Sequence, residues 1–318
     1  MREQHKKESP ILSLLGMGGG GTGPAFAGPT IPSIGSELFE TPGSYTWTAP
    51  NEAAASGIDI VVIGGGGGGA LYPGGTTGGS AGGGARLSYI NNVSVSAGQE
   101  LTIVVGAGGR ASYNGPNPAP VPGMPTSFVG NSGESGGYSS VRNPGQPVTN
   151  SDSIIYAGGG AGAPGPAGGS GGSTQWNSHG GGNGGSGGGS GGNTSWWAFG
   201  GGTGGYSGNG GNGGVWQAGG SYTPGSSAAA SGSGGAGGAA GWGNRTGVGV
   251  FGKGPTGAVN SPGSGGTNQK YGGGGSLHGS SAASTLNAGQ PGAVRIIWGP
   301  GRAFPDTATG LDGGPAPS

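Results

Sequence analysis

The sequence predicts a mainly β protein: a small antiparallel platform of strands carrying a glycine-rich bundle of polyglycine II helices, with no significant α-helix. Three observations lead there. Between Gly158 and Gly292, 54 of 135 residues are glycine, and glycine at that density builds neither a helix nor a sheet core, since it loses the most backbone entropy and has no side chain to bury. Within that stretch other residues recur at threes: Asn209 and Asn212, Thr203 and Tyr206, Asn183 and Ser186, Ser264 and Thr267, and the run Ser233, Ala236, Ala239. Short β-branched runs precede it, and one more, Val294 to Trp298, stands alone beyond it. A left-handed helix of three residues per turn lines every third side chain along one edge, so Gly-Gly-X leaves two edges bare. Because that helix makes no hydrogen bonds of its own, neighbouring helices must pair its N–H and C=O groups. Strict Gly-X-Y phase holds only from Gly162 to Ser173, which argues against a long collagen triple helix. A flexible glycine/serine linker is the plainer alternative.

In chain order, residues 1–36 read as an extended attachment arm. A charged run (Arg2, Glu3, Lys6, Lys7, Glu8) leads into an apolar patch from Ile11 to Met17 that ends in four glycines. The patch is at the short limit for a secretory signal and far below the length that spans a bilayer. Ile11, Leu12, Leu14 and Leu15 are the expected anchors on an assembly partner.

The platform is expected over 37–157 plus 293–298. Ser44 to Thr48 alternates hydroxyl and aromatic residues, and Ile58 to Ile63 is a β-branched run halted by six glycines. Arg86 to Val95 and Glu100 to Val105 read as a hairpin about Ser96-Ala97-Gly98. Ser127 to Val129 and Ser153 to Tyr156 are weaker strands. Because a five-residue strand does not stand alone in water, Val294 to Trp298 should return to this sheet, making 158–292 an insertion held at both ends. Residues 299–318 form a tail that begins with a Pro300-Gly301 turn.

Chemistry finds little material. Eleven basic residues balance eleven acidic ones, which leaves no electrostatic footprint for nucleic acid, and cysteine is absent. Asp152 and Asp306 bracket a stretch without a single carboxylate, in which His179 and His278 are the only histidines. General acid–base work, a nucleophilic triad and a metal site all lack their residues, so no enzyme, cofactor or metal is expected. Gly247 to Gly254 imitates a phosphate-binding loop, but its last position is glycine and Pro255 follows where a helix should start. Arg245, Lys253 and Lys270 give the glycine stretch a small positive excess, most simply a solvated one.

What the stretch does carry is aromatic. Trp176, Trp196, Trp197, Phe199, Tyr206, Trp216, Tyr222, Trp242, Phe251 and Tyr271 interrupt the glycine runs amid Asn, Ser, Gln and Thr. That is the composition of adaptable binding surfaces and suits a glycan or glycolipid. The same rings could instead plug the edges of a bundle poor in Leu and Ile. Both roles stay open.

The run Gly43 to Pro50 (GSYTWTAP), then Ile58 to Gly69 (IDIVVIGGGGGG), then Ala97-Gly98-Gln99 with Leu101 to Gly109 (LTIVVGAGG), resembles the glycine-rich domain of bacteriophage tail fibre and minor tail proteins. The closing segment Gly292 to Thr307 (GAVRIIWGPGRAFPDT) is similar to the ends of such proteins, particularly in phages of actinobacteria. The resemblance implies a virion component at the tail tip or fibre, in some members an adhesin whose polyglycine helices carry loops to the host surface. It implies tail-tip proteins as partners of the arm and a homo-oligomer, a trimer being one form, with no nucleic acid and no membrane span. The alternatives are a passive spacer or assembly element and, more remotely, an ice-binding or cell-wall glycine-rich protein.

Overall fold

Ile58–Ile63, strand β3, is buried at all six positions. An unbroken run of this kind needs cover on both faces of its sheet, and the computed structural model supplies it. The structure describes residues 33–71, 79–111, 133–147, 152–164, 168–188, 195–206, 208–217, 222–223, 247–250, 271–278 and 288–305. Residues 1–32, with Ile11, Leu12, Leu14 and Leu15, lie outside them, as do Ser127 to Val129.

Strand β1 (Gly35–Phe39) and β2 (Gly43–Thr48) come first, and a six-residue helix α1 (Asn51–Ser56) ends at Gly57, whose φ of +73° suits glycine. After β3 come two-residue strands β4 (Ala70–Leu71) and β5 (Gly79–Ser80), which pair with each other. Next are β6 (Leu87–Val93), β7 (Glu100–Val105), β8 (Ser139–Arg142), β9 (Ser153–Ala157) and β10 (Gln175–Trp176). Four short strands follow: β11 (Ser195–Ala198), β12 (Val215–Gln217), β13 (Tyr222–Thr223) and β14 (Leu277–His278). Strand β15 (Ala293–Trp298) closes the series.

One antiparallel sheet has the order β1-β15-β3-β6, the other β10-β9-β8-β7-β2. Strand β15 inserts between β1 and β3, so the last strand returns to the first sheet across more than two hundred residues of chain. Ile58, Ile60, Val62, Val294 and Ile296 of the first sheet pack on Trp47, Leu101, Ile103, Val105, Val141 and Ile155 of the second. The opposite face of β3, Val61 and Ile63, is covered with Leu87 and Ile297 by Tyr206, Val248, Val250, Tyr271 and Phe304. Of the 299–318 tail, the described part turns at Gly301 (φ +75°) and seats Phe304 beneath Asn91, whose side chain both donates to and accepts from its backbone.

The expected hairpin of Arg86–Val95 with Glu100–Val105 is not formed. Strand β6 pairs with β3 in one sheet and β7 with β2 and β8 in the other, so the turn at Ser96–Gln99 crosses between sheets. Its fixing contacts are distant in sequence: Gly98 N–H donates to Ala49 O and Ala49 N–H to Gln99 O, both at 2.9 Å.

Beyond the sandwich, strands run on into glycine. Residues 64–69 continue β3, 106–110 continue β7 and 158–163 continue β9, while 81–86, 133–137 and 288–292 lead into β6, Tyr138–β8 and β15. These segments pair by single backbone bonds whose direction rotates with a period of three. Gly64 and Gly67 donate to 86 and 83, Gly65 and Gly68 to 137 and 134, and Gly66 to Gln290. Every residue from Ala81 to Arg86 both donates and accepts, and the six neighbours of that segment are 64–69, 158–163, 168–174, 182–188, 199–204 and 272–276. Consecutive segments run antiparallel, 158–163 against 168–174 and 185–188 against 199–202 among them. Four segments of this layer, 64–69, 81–86, 106–110 and 133–137, therefore come from the range expected to be platform, and the boundary between strand and glycine cuts across the strands, not along the sequence. Gly35 and Ser36, the last two residues of the range expected as an attachment arm, belong to β1.

Side chains at threes take part. Asn209 Oδ1 accepts from Asn183 N–H and Asn212 Oδ1 from Ser186 N–H, each at 2.9 Å, so the two pairs spaced by three face each other. Thr203 Oγ donates to Tyr271 O at 2.7 Å and Tyr206 OH to Gly249 O at 3.1 Å, along one edge of 199–204.

Where strands give way to glycine, Arg86 is buried with no carboxylate partner among the described residues. Nε donates to Ser88 Oγ, Nη1 to Asn183 Oδ1 and Nη2 to Gln175 Oε1. Burial lowers its pKa to about 10, still well above neutral, so it stays a cation held by neutral oxygens.

Candidate functional site

Three of the glycine segments end in aromatic strands. Residues 199–204 follow β11, 208–214 precede β12 and 272–276 precede β14. Gly201 and Gly204 donate to 82 and 85, in parallel, while 82 and 85 donate to 275 and 272, antiparallel. Ala198 and Ser276 thus stand level with Ser80. Phe199 donates to Gly214, which brings the start of β12 to the same level. All three strands therefore sit at the end of the bundle opposite the sandwich.

There they join into one antiparallel sheet of order β13-β12-β11-β14. Register places Tyr222 opposite Trp216, Trp216 opposite Trp197, and Trp197 opposite His278. Four ring-bearing residues thus occupy one row across four strands, about 14 Å at ordinary strand spacing. The next row is Thr223, Val215, Ala198 and Leu277, of which Ala198 is fully buried. A break in register between Ser195 and Trp197 makes Trp196 the extra residue of a bulge.

The rest of the aromatic set divides. Phe199, Tyr206 and Tyr271 are buried at 5%, 2% and 3% exposure and fill the interior. Tyr206 stacks on Phe304 at 5.9 Å. Tyr271 donates its hydroxyl to Glu40 at 2.5 Å, and burial together with that carboxylate drives its pKa up. Trp176 is 42% exposed, on edge strand β10 of the five-stranded sheet and far in the fold from the row of four. Trp242 and Phe251 lie outside the described residues, as do Arg245, Lys253 and Lys270. Of the phosphate-loop look-alike, the described part Gly247–Val250 bridges to Tyr271 and buries both valines against the first sheet.

Sequence reasoning placed these aromatics in loops and missed His278 as a member of the row. No local signal could have found it, since its strand is two residues long and its partner Trp197 is 81 positions away. His179 is engaged elsewhere, its Nδ1 accepting from Asn91 N–H at 3.2 Å. Among the described residues no three His, Asp or Glu gather as a metal would require, and no helix is long and apolar enough to cross a membrane.

No protein-family model matches this chain, and no curated protein matches it.

Proposed function

We propose that this chain is a non-enzymatic structural protein of a bacteriophage tail tip or fibre, located in the virion, that displays its far-end aromatic sheet to a glycan or glycolipid of the host surface. The reading takes the glycine segments as polyglycine II helices: bonding that turns through three directions and returns at i+3 is what such helices offer their neighbours. Six residues at about 3.1 Å each set the sheet roughly 18 Å from the sandwich. The observation that carries the reading is the row Tyr222, Trp216, Trp197 and His278 at the end of the bundle away from β1. Gly35, opposed to Trp298, lies at the other end of the sandwich, so β1 begins at the end away from that sheet. Four ring-bearing residues in register on one short sheet are the residue types that suit sugar faces, with Asn, Ser and Thr near them in the sequence for hydroxyls.

The test is adsorption by assembled particles carrying Trp197→Ser or Trp216→Ser. Host adsorption should fall by about tenfold or more, the loss of a hot-spot ring, with particle yield unchanged. Unchanged adsorption sinks the adhesin reading. A second reading, a passive spacer, draws on the burial of Phe199, Tyr206 and Tyr271. It requires those variants to impair assembly and leave adsorption by surviving particles intact.

A further inference from the structure

The outer face of the five-stranded sheet holds a second group of residues with unmet chemistry. Ser139 and Val141 point into the core, fully buried, so Tyr138, Ser140 and Arg142 alternate onto the side away from the first sheet. Strand register adds Tyr156 opposite Ser140 and Trp176 opposite Tyr156. The Tyr138 and Tyr156 rings stack at 5.3 Å with planes 19° apart. Burial raises the pKa of both hydroxyls, and the positive charge of Arg142 opposes the rise at Tyr138. Trp176 is the exposed end of the strip, and its neighbours hold it in place. Gln175 accepts from Arg86, and Asn177 Nδ2 donates to Ser153 O at 3.0 Å.

Three polar atoms in this strip are buried with no hydrogen-bond partner: Ser140 Oγ, Arg142 Nε and Arg142 Nη1. Ser140 itself is fully buried. A native fold rarely leaves such groups unmet without a use for them. A buried guanidinium edge accepts an anion, a hydroxyl beside it serves a neutral oxygen, and a stacked pair of tyrosines continued by tryptophan offers flat apolar area. One ligand class combines these demands: a sugar ring with an anionic substituent.

We infer that Arg142 and Ser140, with the Tyr138–Tyr156 stack and Trp176, form a binding site for an acidic saccharide, carrying a carboxylate or a phosphate, on the flank of the sandwich. The site is independent of the aromatic row, shares no residue with it and stands whether or not that row contacts a host.

The experiment is titration of the whole chain, followed by calorimetry and tryptophan fluorescence, with three probes. Tetragalacturonate supplies rings and carboxylates, its methyl ester supplies the same rings uncharged, and glucose 6-phosphate supplies the phosphate. The expected result is that tetragalacturonate or glucose 6-phosphate binds, the stronger of them identifying the anion, and that the methyl ester is weaker by about tenfold or more, the order of a lost charge-assisted bond. Arg142→Gln and Trp176→Ser should each weaken the charged probe by about tenfold, while Asn209→Ala, exposed at the rim of the bundle and in neither site, should leave it unchanged. Equal binding of acid and ester, charged-probe binding that survives Arg142→Gln, or binding of neither charged probe overturns the inference. Should Arg142→Gln lose its thermal transition, Ser140→Ala and the exposed Trp176→Ser decide in its place.

Discussion

The sandwich and the glycine bundle hold themselves together by opposite means. Between the sheets, side chains do the work: Ile58, Ile60, Leu101, Ile103 and Val294 interdigitate, fully buried, and the backbone is paired only along strands. In the bundle the side chain is what must be absent. A Cβ at Gly66 or Gly67 would lie 2.0 Å from the carbonyl oxygen of Gly273 or Ala161, and at Gly83 2.1 Å from that of Ser170. Contact between backbones in three directions lets a segment such as 81–86 pair all its amides without a core of the ordinary kind. A chain with 30% hydrophobic residues can thus order far more of its length than its apolar content would.

That contrast is broken most severely by a single methyl group. Gly67→Ala or Gly83→Ala should destabilise by about 4 kcal/mol or more, because the obstacle is backbone in a segment bonded to several others and has no room to relax. Gly98→Ala is the matched control. Nothing lies within 4 Å of its added Cβ, so only its φ of +75° resists, at a cost of about 1–2 kcal/mol. Thermal unfolding of the three variants checks the pair. Comparable losses at Gly67 and Gly98 would mean that the close packing of 64–69 does not support the fold.

In the sandwich the sign of the size rule reverses. Ile60→Ala and Ile103→Ala remove buried methyl groups and should cost about 2–5 kcal/mol each, with the spread set by how far the site collapses. Denaturant titration reads this directly.

How much of this was open to sequence reading follows the same division. Strands β3 and β15 were legible because runs dominated by β-branched residues, Ile58, Ile60, Val61, Val62 and Ile63 in one and Val294, Ile296 and Ile297 in the other, have few other uses, and the return of β15 to the platform followed from the impossibility of an isolated strand. The pairs Asn183/Ser186 and Asn209/Asn212 announced their shared edge through spacing alone. The turn at Ser96–Gln99 misled because a tight turn serves a hairpin and a crossing equally well, and Ala49, which decides between them, is remote. Gly64–Gly69 and 81–86 could not be assigned to the bundle from composition, since what makes them central is their set of six neighbours. The aromatic row was invisible for a similar reason: strands of two to four residues leave no periodicity, and register across them exists only after the glycine segments have aligned.

The Asn pairs test whether side chains contribute at the rim of the bundle. Asn209→Ala and Asn212→Ala each remove an acceptor from a backbone N–H, at exposed positions where water substitutes. The loss should be about 0.5–1 kcal/mol for each, and near additive in the double variant if the two bonds are independent.

The smallest effect expected is a gain, and it lies where the sandwich is least like itself. Asp59 interrupts β3 with a carboxylate at 5% exposure, at the register break opposite β6. Its Oδ1 accepts from Asn92 N–H at 2.7 Å. Burial raises its pKa, and the Asn92 bond and the charges of Arg302 and His179 offset the rise only in part. A raised folded-state pKa means that the fold favours the protonated acid. The stabilisation is therefore full below the unfolded value of about 3.9 and is lost as pH rises through the folded one. At neutral pH the charge is a liability that a neutral isostere removes, and the Asn oxygen can still accept from Asn92. Asp59→Asn should melt above the parent at about pH 7, with the advantage shrinking to nothing by about pH 3, where both side chains are neutral. A variant that melts below the parent at neutral pH would mean that attraction to Arg302 outweighs burial, and that the carboxylate, like the glycines beyond it, holds a place no other residue can take.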